Sequence, residues 1–425
     1  MAQATLAMER LRAATRAEHR RLEALPYFAA LRAGTLPVAH YVGLLAALRL
    51  LHETVEAELV PATGPVVAAV WDERLRAAPL LTRDLAFFAA AAPPPRALLR
   101  AAALADALRQ RCADAPAALL GVLYVLEGSA LGGVLLRHQV ARAFGLRGRD
   151  GLAYLTRDGR RSGSHWARFR ERMDAALARP RDQAAAVAAA RAAYAGLIGI
   201  LVSLDPTVAP DESGRMPLVA ELNPEAGRHG VTGDARELQA ALRAGHRSWR
   251  QFPYYRWRYG ARGRAFTRSD SAWLVTLVGE SPAVVRQQIR WLGRLLAARG
   301  MPQWLLESHL RLLHDELVAA RPDRQRAYGR LLGAATMLAE LRRAQIDDAA
   351  SRSLAEAFDR AVGAAWRRRL PEAGTLLVAA VADERAGIGG AVPSLEPWLT
   401  DSGRFPAHWR TAVHRTIDAA RRQAP

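Results

Sequence analysis

Apolar residues recur every three or four positions along nearly the whole chain, and this helical period is what most constrains the fold. Half of the 425 residues are apolar, and Ala and Leu dominate. Segments of the strand type, rich in Val, Ile, Thr and aromatic residues with a period of two, are nearly absent. We therefore predict an all-α protein, long enough for two or three domains of ordinary size.

One stretch interrupts the helical pattern for long enough to separate two domains. Helical patterning ends near residue 204, and Asp205–Asp234 then carries many Pro, Gly and acidic residues without a sustained period. Such composition is typical of loops and linkers. Helical patterning resumes at Ala235 and continues almost to the last residue. We predict a first domain over 1–204, a linker over 205–234 that is partly packed, and a second helical domain over 235–425.

The basic residues of this chain are all arginine. The formal net charge is +19, and the sequence contains no lysine. A basic surface can bind nucleic acid or another anion. Arg is spread over both halves rather than clustered, however, which favours a general compositional preference for Arg as the soluble cation. We do not expect a nucleic-acid partner, but a basic surface would attract an acidic partner protein.

The cysteine count and the apolar runs indicate a cellular compartment. Cys112 is the only cysteine, which excludes a disulfide framework and a cysteine-based metal cluster and fits a reducing environment. The N-terminal segment lacks the unbroken apolar core of a signal peptide. No uncharged apolar run reaches the length of a membrane span. We expect a soluble, cytoplasmic protein with no membrane partner.

The segment Tyr124–Gly133, YVLEGSALGG, places three glycines inside an apolar run that otherwise predicts a buried helix. Each interior Gly costs a helix about 1 kcal/mol relative to Ala, and the chain uses Ala freely elsewhere. Gly128, Gly132 and Gly133 therefore indicate that another group comes close to the helix backbone. That group is either a flat ligand or the backbone of a second helix.

A second stretch, near the N-terminus, carries polar residues at helical spacing. In a single helix through LRAATRAEHRRLEALPYF, Arg12, His19 and Glu23 would lie at i−7, i and i+4 and share one face. A carboxylate one turn beyond an imidazole can hold one ring nitrogen and leave the other free, as in iron-ligating histidines. By spacing alone, a structural histidine on a half-apolar helix face explains the same pattern.

Together, these stretches resemble the haem oxygenase family, and especially its bacterial biliverdin-forming members. The family's proximal motif is similar to LRAATRAEH, which implies that His19 is the axial ligand of the haem iron. In the same motif Arg12 would face a haem propionate, and Glu23 would be the accompanying carboxylate. The family's Gly-rich distal motif is similar to YVLEGSALGG.

A third segment, HWARFRERMDAAL, is similar to the family helix whose Arg anchors the other propionate. The resemblance identifies that Arg as Arg170, with Phe169 beside it. The three segments occur in the family's order and span roughly residues 11–204. The implied fold is a haem oxygenase-like helical bundle followed by a second all-helical domain, for which the sequence shows no family.

The resemblance also implies how the distal helix works. Gly128, Gly132 and Gly133 would let that helix pass close to the haem. The animal-type enzymes carry an Asp after the first distal Gly, where this chain has Ser129. Proton delivery would therefore depend on ordered water held by backbone carbonyls and by Ser129.

The implied activity is the oxidative ring opening of haem b, which is both substrate and cofactor, to biliverdin, iron and carbon monoxide. Dioxygen is the oxidant. Electrons must come from outside, because the sequence shows no flavin or nicotinamide fingerprint, and an acidic ferredoxin or flavodoxin is the expected donor. Related enzymes often accompany phytochromes, so a phytochrome is a candidate recipient of the bilin. Two alternatives fit the same bundle: a haem-binding sensor or carrier with a helical output domain, and a protein acting on another small molecule.

The most unusual stretch of the C-terminal half is Trp249–Leu274, where aromatic residues interleave with Arg. It is compatible with a base-stacking surface, with a tetrapyrrole or partner-docking site, or with aromatic packing in which Arg stacks on rings. We favour the packing interpretation. TRSDSAW predicts a helix that begins near Ser269. His309 and His314 lie on a predicted amphipathic helix, where a second haem ligand is conceivable and ordinary core or surface histidines are commoner.

Overall fold

The structure, a computed structural model, describes residues 6–157, 162–207, 219–227 and 229–423. Within these ranges, nothing is described for the side chains of Ala62, residues 129–135, Ser162 and Glu221. The described residues form helices joined by turns, with no extended strand among them. The predicted all-α class is therefore confirmed. The chain divides into two compact units, residues 1–217 with 233–235, and residues 218–232 with 236–425.

The N-terminal unit is built from eleven described α-helices. They are α1 (Ala7–Ala14), α2 (Arg16–Glu23), α3 (Pro26–Ala33), α4 (Val38–Thr54), α5 (Val60–Ala62), α6 (Pro65–Ala68), α7 (Ala78–Phe87), α8 (Pro95–Asp114), α9 (Ala118–Ala143), α10 (Ser162–Ala176) and α11 (Pro180–Val202). A π-helical turn, Val55–Leu59, follows α4, and short 3-10 turns cover Glu73–Leu75 and Tyr154–Thr156. Proline opens several of these helices, where its missing N–H costs nothing.

The centre of this unit is the contact between α9 and α11. The alanines of α11 that face inward, from Ala186 to Ala193, are buried. Their short side chains let the two backbones approach closely. A Cβ atom built on Gly121 of α9 would lie 1.9 Å from the carbonyl oxygen of Ala186. Gly121 is therefore a glycine that helix packing itself requires.

α11 is also the one described helix that is long and apolar enough to cross a membrane, judged by length and composition. Half of its most apolar stretch is buried inside the protein. The core helix of a soluble protein has the same length and composition. The contact of α11 with α9 and α8 accounts for its apolar surface.

Cys112 lies in α8 and is buried in the same core. Burial raises the pKa of its thiol to about 12. Because the thiolate is the reactive form of cysteine, this thiol is inert at neutral pH.

The C-terminal unit contains α12 (Val219–Leu222), α13 (Ala235–Gln251), α14 (Pro253–Thr276), α15 (Pro282–Ala297), α16 (Gln303–Ala320), α17 (Gln325–Arg343), α18 (Asp348–Arg369), α19 (Ala373–Arg385), α20 (Ala391–Leu399) and α21 (Ala407–Arg421). The prediction that a helix begins near Ser269 is wrong, because α14 already begins at Pro253. Ser269 lies inside α14, and its hydroxyl donates to the carbonyl of Phe266 at 2.8 Å rather than capping a helix.

The segment predicted as a linker contributes to this second unit. Residues 218–232 cluster with it, and they include α12 and a 3-10 turn at Pro224–Ala226. The N–H of Val219 donates to the carbonyl of His229 at 2.9 Å, which closes the segment into a loop. Residues 208–218 of the predicted linker lie outside the described residues.

An aromatic cluster fills the core between α18, α20 and α21. The rings of Phe405 and Trp409 stack with centroids 5.0 Å apart and an interplanar angle of 12°. Phe358 packs edge-on against Trp409 at 5.0 Å, and the indole N–H of Trp409 donates to the carbonyl of Leu399 at 3.1 Å. The indole is therefore buried with its polar atom paired, as burial requires.

Candidate active site

The residues predicted to form one N-terminal helix form two. α1 and α2 meet at Thr15, whose backbone leaves helical geometry with φ −108° and ψ 7°. The shared face predicted for Arg12, His19 and Glu23 is therefore divided between two short helices, which corrects the single-helix expectation. The one-turn spacing of His19 and Glu23 holds, because both lie in α2. Arg12 is exposed in α1.

Arg191 of α11 fixes the break between α1 and α2. Its Nε donates to the carbonyl of Ala14 at 3.1 Å and lies 3.1 Å from Oε1 of Glu18. The guanidinium thus contacts the last residue of α1 and the first turn of α2 at once. This contact holds α2, and with it His19, against α11.

The imidazole of His19 is oriented by two neighbours. Its Nδ1 lies 3.4 Å from Oε2 of Glu23, and the two side chains are 52% and 64% exposed. The ring packs edge-on against Tyr194 of α11, with centroids 6.0 Å apart. Among the described residues, none forms a hydrogen bond with Nε2. The carboxylate faces one ring nitrogen and the other has no described partner, which is the geometry that the predicted role of His19 as a ligand requires.

Tyr194 lies where three helices meet. Burial raises the pKa of its phenol, and the nearby Tyr124 and Glu23 raise it further. Tyr124 belongs to α9, one helical turn before Gly128, and Glu23 belongs to α2. His19 and Tyr124, which begins the glycine-rich segment, are therefore both close to Tyr194.

Gly128 has room for a side-chain carbon. Among the described residues, a Cβ atom built there would meet one neighbour, Cη2 of Trp166, at an ordinary contact distance of 4.0 Å. Helix packing therefore does not require a glycine at this position, in contrast to Gly121 in the same helix. Of the two explanations that the sequence allowed, close helix packing finds no support at Gly128 among the described residues, and a ligand there stays a prediction.

The other members of the glycine motif have a described backbone only. α9 is helical through Ser129, Gly132 and Gly133. Their side-chain surroundings lie outside the described residues, so the space around them gives no test of their predicted roles. The predicted function of Ser129 in holding water stays a prediction.

Two aromatic residues of α10, Trp166 and Phe169, pack together near Gly128. The ring of Trp166 lies 6.3 Å from that of Tyr124 and 5.5 Å from that of Phe169. Phe169 is buried in the core, whereas Arg170 is exposed. Among the described residues, none forms a hydrogen bond or ion pair with the Arg170 guanidinium. The structure therefore supports a packing contact for Phe169 and a solvent-facing cation for Arg170.

A buried ion pair lies directly before Gly128. Glu127 pairs with Arg157, and both side chains are almost fully buried. His165 of α10 approaches the same carboxylate, with 3.7 Å between Nε2 and Oε2. Glu127 is thus directed toward the start of α10. Sequence reasoning could not find this cluster, because Arg157 and His165 are 30 and more residues away from Glu127.

The available protein ligands fit a metal whose other ligands are supplied by a macrocycle. Among the residues that the structure describes, no three His, Cys, Asp or Glu side chains converge on one point. His19 is therefore a lone imidazole, and a lone protein imidazole serves iron when a porphyrin supplies the remaining nitrogen ligands. The missing Cβ of Gly128 and the rings of Tyr124 and Trp166 suit the flat, apolar body of such a group.

Sequence reasoning missed three aromatic residues of this site. Tyr124 and Trp166 both stand inside the stretches that carry the family motifs, four residues before Gly128 and three before Phe169. Their helical spacing from predicted site residues was a usable signal. Tyr194 had no such signal, because it lies in an Ala-rich helix far along the chain.

Comparison with known proteins covers the N-terminal unit. The family model described as Heme oxygenase matches residues 5–201. No curated protein sequence matches the chain. The resemblance predicted from the three motifs is confirmed for this region, and the match does not extend into the C-terminal half.

Solved structures of heme oxygenases are similar to the same region. Heme oxygenase-2 from Synechocystis sp. PCC 6803, in complex with heme and NO, is 21% identical with a TM-score of 0.43, over 47% of this chain and 85% of that chain. Heme oxygenase-1 from the same cyanobacterium, in complex with heme, is 20% identical with a TM-score of 0.43, over 47% and 93%. The heme oxygenase from Leptospira interrogans is 20% identical with a TM-score of 0.43, over 47% of this chain and 99% of that chain.

Proposed function

Since residues 5–201 match the haem oxygenase family, we propose that the N-terminal unit opens the ring of haem b oxidatively to biliverdin, with release of iron and carbon monoxide. The observation that carries this proposal is the pair of His19 and Gly128. One is an imidazole whose Nε2 has no hydrogen-bond partner among the described residues, and the other is a helical glycine at which a Cβ atom would meet no described atom closer than 4.0 Å. His19 packs against Tyr194, and Tyr124, one helical turn before Gly128, lies near enough to Tyr194 to raise its pKa, so a flat ligand would contact α2 on one side and α9 on the other.

The proximal residues would bind and orient the substrate. His19 would ligate iron through Nε2, while Glu23 beside Nδ1 would fix the ring and raise its basicity. Arg12 and Arg170 are exposed cations that would contact the two propionates as charge-assisted pairs. Propionate contacts set the rotation of the macrocycle in its pocket and so would select the meso carbon that is oxidised.

The distal residues would control approach and protonation. Bound haem supplies the redox-active iron and is itself the molecule that is cleaved. Gly128, with Gly132 and Gly133, would let α9 lie against the ring without a Cβ in the way. Ser129 would hold water that donates protons on this side. Trp166 and Phe169 would exclude bulk water from the edge of the pocket.

The remaining parts of the proposal concern partners and location. The reductant would be an acidic ferredoxin or flavodoxin, which the net charge of +19 would attract, and dioxygen would be the oxidant. A phytochrome as recipient of the bilin, and a cytoplasmic location, stay predictions from the resemblance and the composition.

The test is the spectrum of the purified full-length protein with haemin. We expect a strong Soret band on binding, followed by conversion to the spectrum of biliverdin when reductant and dioxygen are added. Conversion would separate an oxygenase from a haem sensor or carrier, which would bind haem and leave it intact. Failure to bind haemin would leave another small molecule as the ligand.

His19→Ala should abolish most turnover. Removal of an outer partner of a metal ligand costs roughly 10- to 100-fold, so loss of the ligand itself should cost more, and added imidazole should restore part of the rate. The measurement is single-turnover oxidation of bound haem. His408→Ala, which removes an exposed histidine of the C-terminal unit, is the control. A native Soret band and native rate in His19→Ala would remove His19 from the site.

A further inference from the structure

The C-terminal unit contains a cavity of about 880 Å³. It is lined by residues of α13, α14, α15 and α16 and by the turn at Pro224–Ala226, all within the one unit. Its volume is near the upper end of the range for small-molecule pockets, roughly 300–1,000 Å³. A sugar or an amino acid would leave most of this space empty, so the cavity suits a large ligand.

Aromatic residues from the unusual stretch of the sequence form one wall. Trp249 and Tyr255 stack with centroids 5.6 Å apart and an interplanar angle of 19°. The guanidinium of Arg264 lies 4.5 Å from the centre of the Trp249 indole. The packing interpretation of Trp249–Leu274 is therefore confirmed for these residues. Trp249 and Tyr255, with Phe266 and Trp273, also line the cavity.

His309 lies at the buried end of the cavity, and both of its ring nitrogens are occupied. The hydroxyl of Ser271 donates to the carbonyl of Thr267 at 2.5 Å, so it accepts from Nε2–H of His309 at 2.9 Å. Nδ1 then accepts from the hydroxyl of Ser248 at 2.8 Å. This tautomer is assigned from the hydrogen-bond network. Burial lowers the pKa of His309 to about 4, which keeps the ring neutral.

The histidine is therefore unsuited to ligate iron, because ligation would break one of the two serine hydrogen bonds. His314 does not line the cavity, and its Nδ1 lies 3.1 Å from Oδ1 of Asp315. The second haem site that the sequence left open finds no support on either residue. A ligand of this cavity would be held by aromatic contacts and charge, without an axial imidazole.

The exposed residues that line the cavity include a ring and a cation. Trp291 is 56% exposed, more than any other large hydrophobic residue that the structure describes. Arg299 is an exposed lining residue, and none of the described residues forms a side-chain hydrogen bond with its guanidinium. Its charge acts on the buried carboxyl of Asp270, another lining residue, and opposes the rise in the pKa of Asp270 that burial causes. Exposing an indole costs free energy that a stacked ligand would recover. A guanidinium whose N–H groups donate to no described side chain is suited to a ligand carboxylate, for which Asp270 is the competing anion.

We propose that this cavity binds a linear, metal-free tetrapyrrole dicarboxylate, the class of compound that the N-terminal unit would release. The identity of the ligand rests on the proposed function. The size of the cavity, its aromatic lining and the cation of Arg299 are observed independently of that function. Haemin is the less suitable ligand because His309 is already engaged. A long-chain fatty acid has the carboxylate but not the flat rings that Trp249, Trp273 and Trp291 would stack on. The C-terminal unit would thus retain the bilin after release.

The experiment supplies biliverdin directly, so that it does not depend on turnover. Full-length protein is first saturated with haemin, without reductant, and then titrated with biliverdin while absorbance and tryptophan fluorescence are followed. We expect one further equivalent to bind, with quenching of tryptophan fluorescence and no loss of the Soret band. If haemin is never oxidised in a separate assay but biliverdin still binds, the proposed function fails and the binding site stands.

Two variants test the position of the site. Arg299→Ala should weaken binding roughly tenfold, as expected for loss of a charge-assisted hydrogen bond, and Leu295→Trp should weaken it by filling the cavity. Arg290→Ala, which removes an exposed Arg of α15 outside the lining, should bind as the unmodified protein does. Arg299 is a surface residue, so its loss tests the site even if Leu295→Trp fails to fold.

Three results would overturn the proposal. The first is displacement of biliverdin by excess haemin, which would place it in the N-terminal site. The second is unchanged binding in both Arg299→Ala and Leu295→Trp. The third is tighter binding of oleate than of biliverdin in the same competition, which would make the cavity a fatty-acid site.

Discussion

Gly121 and Gly128 stand two helical turns apart in α9 and have opposite surroundings. Gly128→Ala introduces no contact closer than 4.0 Å, and Ala is the better helix former, so stability should rise by up to about 1 kcal/mol. Oxidation of bound haem should nevertheless slow, because a methyl group would enter the space that the ring is proposed to use. Urea unfolding and single-turnover haem oxidation measure the two effects.

Gly121→Ala is the matched control for that substitution. Its Cβ would meet the carbonyl oxygen of Ala186 at 1.9 Å, so α9 and α11 would have to separate, at a cost of about 1–3 kcal/mol typical of overpacked cores. Stability should therefore fall in one variant and rise in the other. A Gly128→Ala variant that oxidises haem at the native rate would show that Gly128 does not adjoin the substrate.

Asp383 makes the stability of the C-terminal unit depend on pH. It is buried and accepts hydrogen bonds from the backbone N–H and the side-chain Nε2 of Gln303, at 2.8 and 2.9 Å. Burial raises its pKa to about 6, and the two donors limit the rise. Since the folded pKa lies above the unfolded value, the stabilisation is complete below about pH 4 and is lost as the pH rises through 6.

Asp383→Asn should remove that dependence, because Asn stays neutral and can still pair with Gln303 after rotation of the two amides. Relative to the unmodified protein, the variant should gain about 2–3 kcal/mol between pH 4 and pH 7.5, at about 1.4 kcal/mol for each pKa unit. Urea unfolding followed by tryptophan fluorescence measures it. Asp418→Asn, at an exposed position, should give a constant difference over that range, and equal curves for both variants would contradict the argument.

At the scale of an element, the kink in α14 depends on one residue, Gly260. Gly260 has φ 53° and ψ −146°, so α14 is two helical segments joined across a kink. No atom lies within 4 Å of a Cβ built there, which means that only the backbone conformation requires glycine. Gly260→Ala should therefore destabilise the protein by about 1–3 kcal/mol, measured by thermal or urea unfolding.

Gly329 of α17 provides the comparison. It also has open space around its Cβ position, and its φ lies outside the left-handed region. Gly329→Ala should stabilise the protein by up to about 1 kcal/mol. Equal effects of the two substitutions would show that the kink in α14 does not exist in solution.

The helical period predicted the fold class and most helices, because burial of one helix face leaves a regular mark in the sequence. It did not predict the break at Thr15, which depends on Arg191 contacting both sides of it from another helix. The helical period also could not show that Gly121 is required by helix packing and Gly128 is not, because the sequence does not reveal which atoms lie beside a glycine. His309 was visible as a residue, but the serines that occupy its nitrogens are 61 and 38 positions away. Arg12, His19 and Glu23 were predicted as site residues from the motif LRAATRAEH and from their spacing along a helix.

For the whole molecule, the cores of the two units are separate in sequence. The main hydrophobic cluster of the N-terminal unit lies between Ala7 and Leu204, and those of the C-terminal unit lie between Ala240 and Ala420. A fragment of residues 1–217 should therefore fold, bind haemin and form biliverdin in a single turnover as the full chain does. Circular dichroism and single-turnover spectra provide the measurement.

The same fragment should fail to bind the extra equivalent of biliverdin, because it lacks the cavity residues from Trp249 to His309. Residues 218–425 expressed alone should bind it. A large loss of the single-turnover rate in the fragment, with haem affinity retained, would instead show that the C-terminal unit contributes to the chemistry.

The burial of Cys112 has a practical consequence. With its only native thiol inert, the chain already behaves as a cysteine-free background for site-specific labelling. Thr82→Cys and Ser353→Cys, at exposed positions of α7 and α18, would therefore be the only sites to react with maleimide fluorophores at neutral pH. Energy transfer between the two dyes would then report the separation of the units in solution. A change in transfer on adding haemin or biliverdin would show whether a ligand in one unit alters the position of the other.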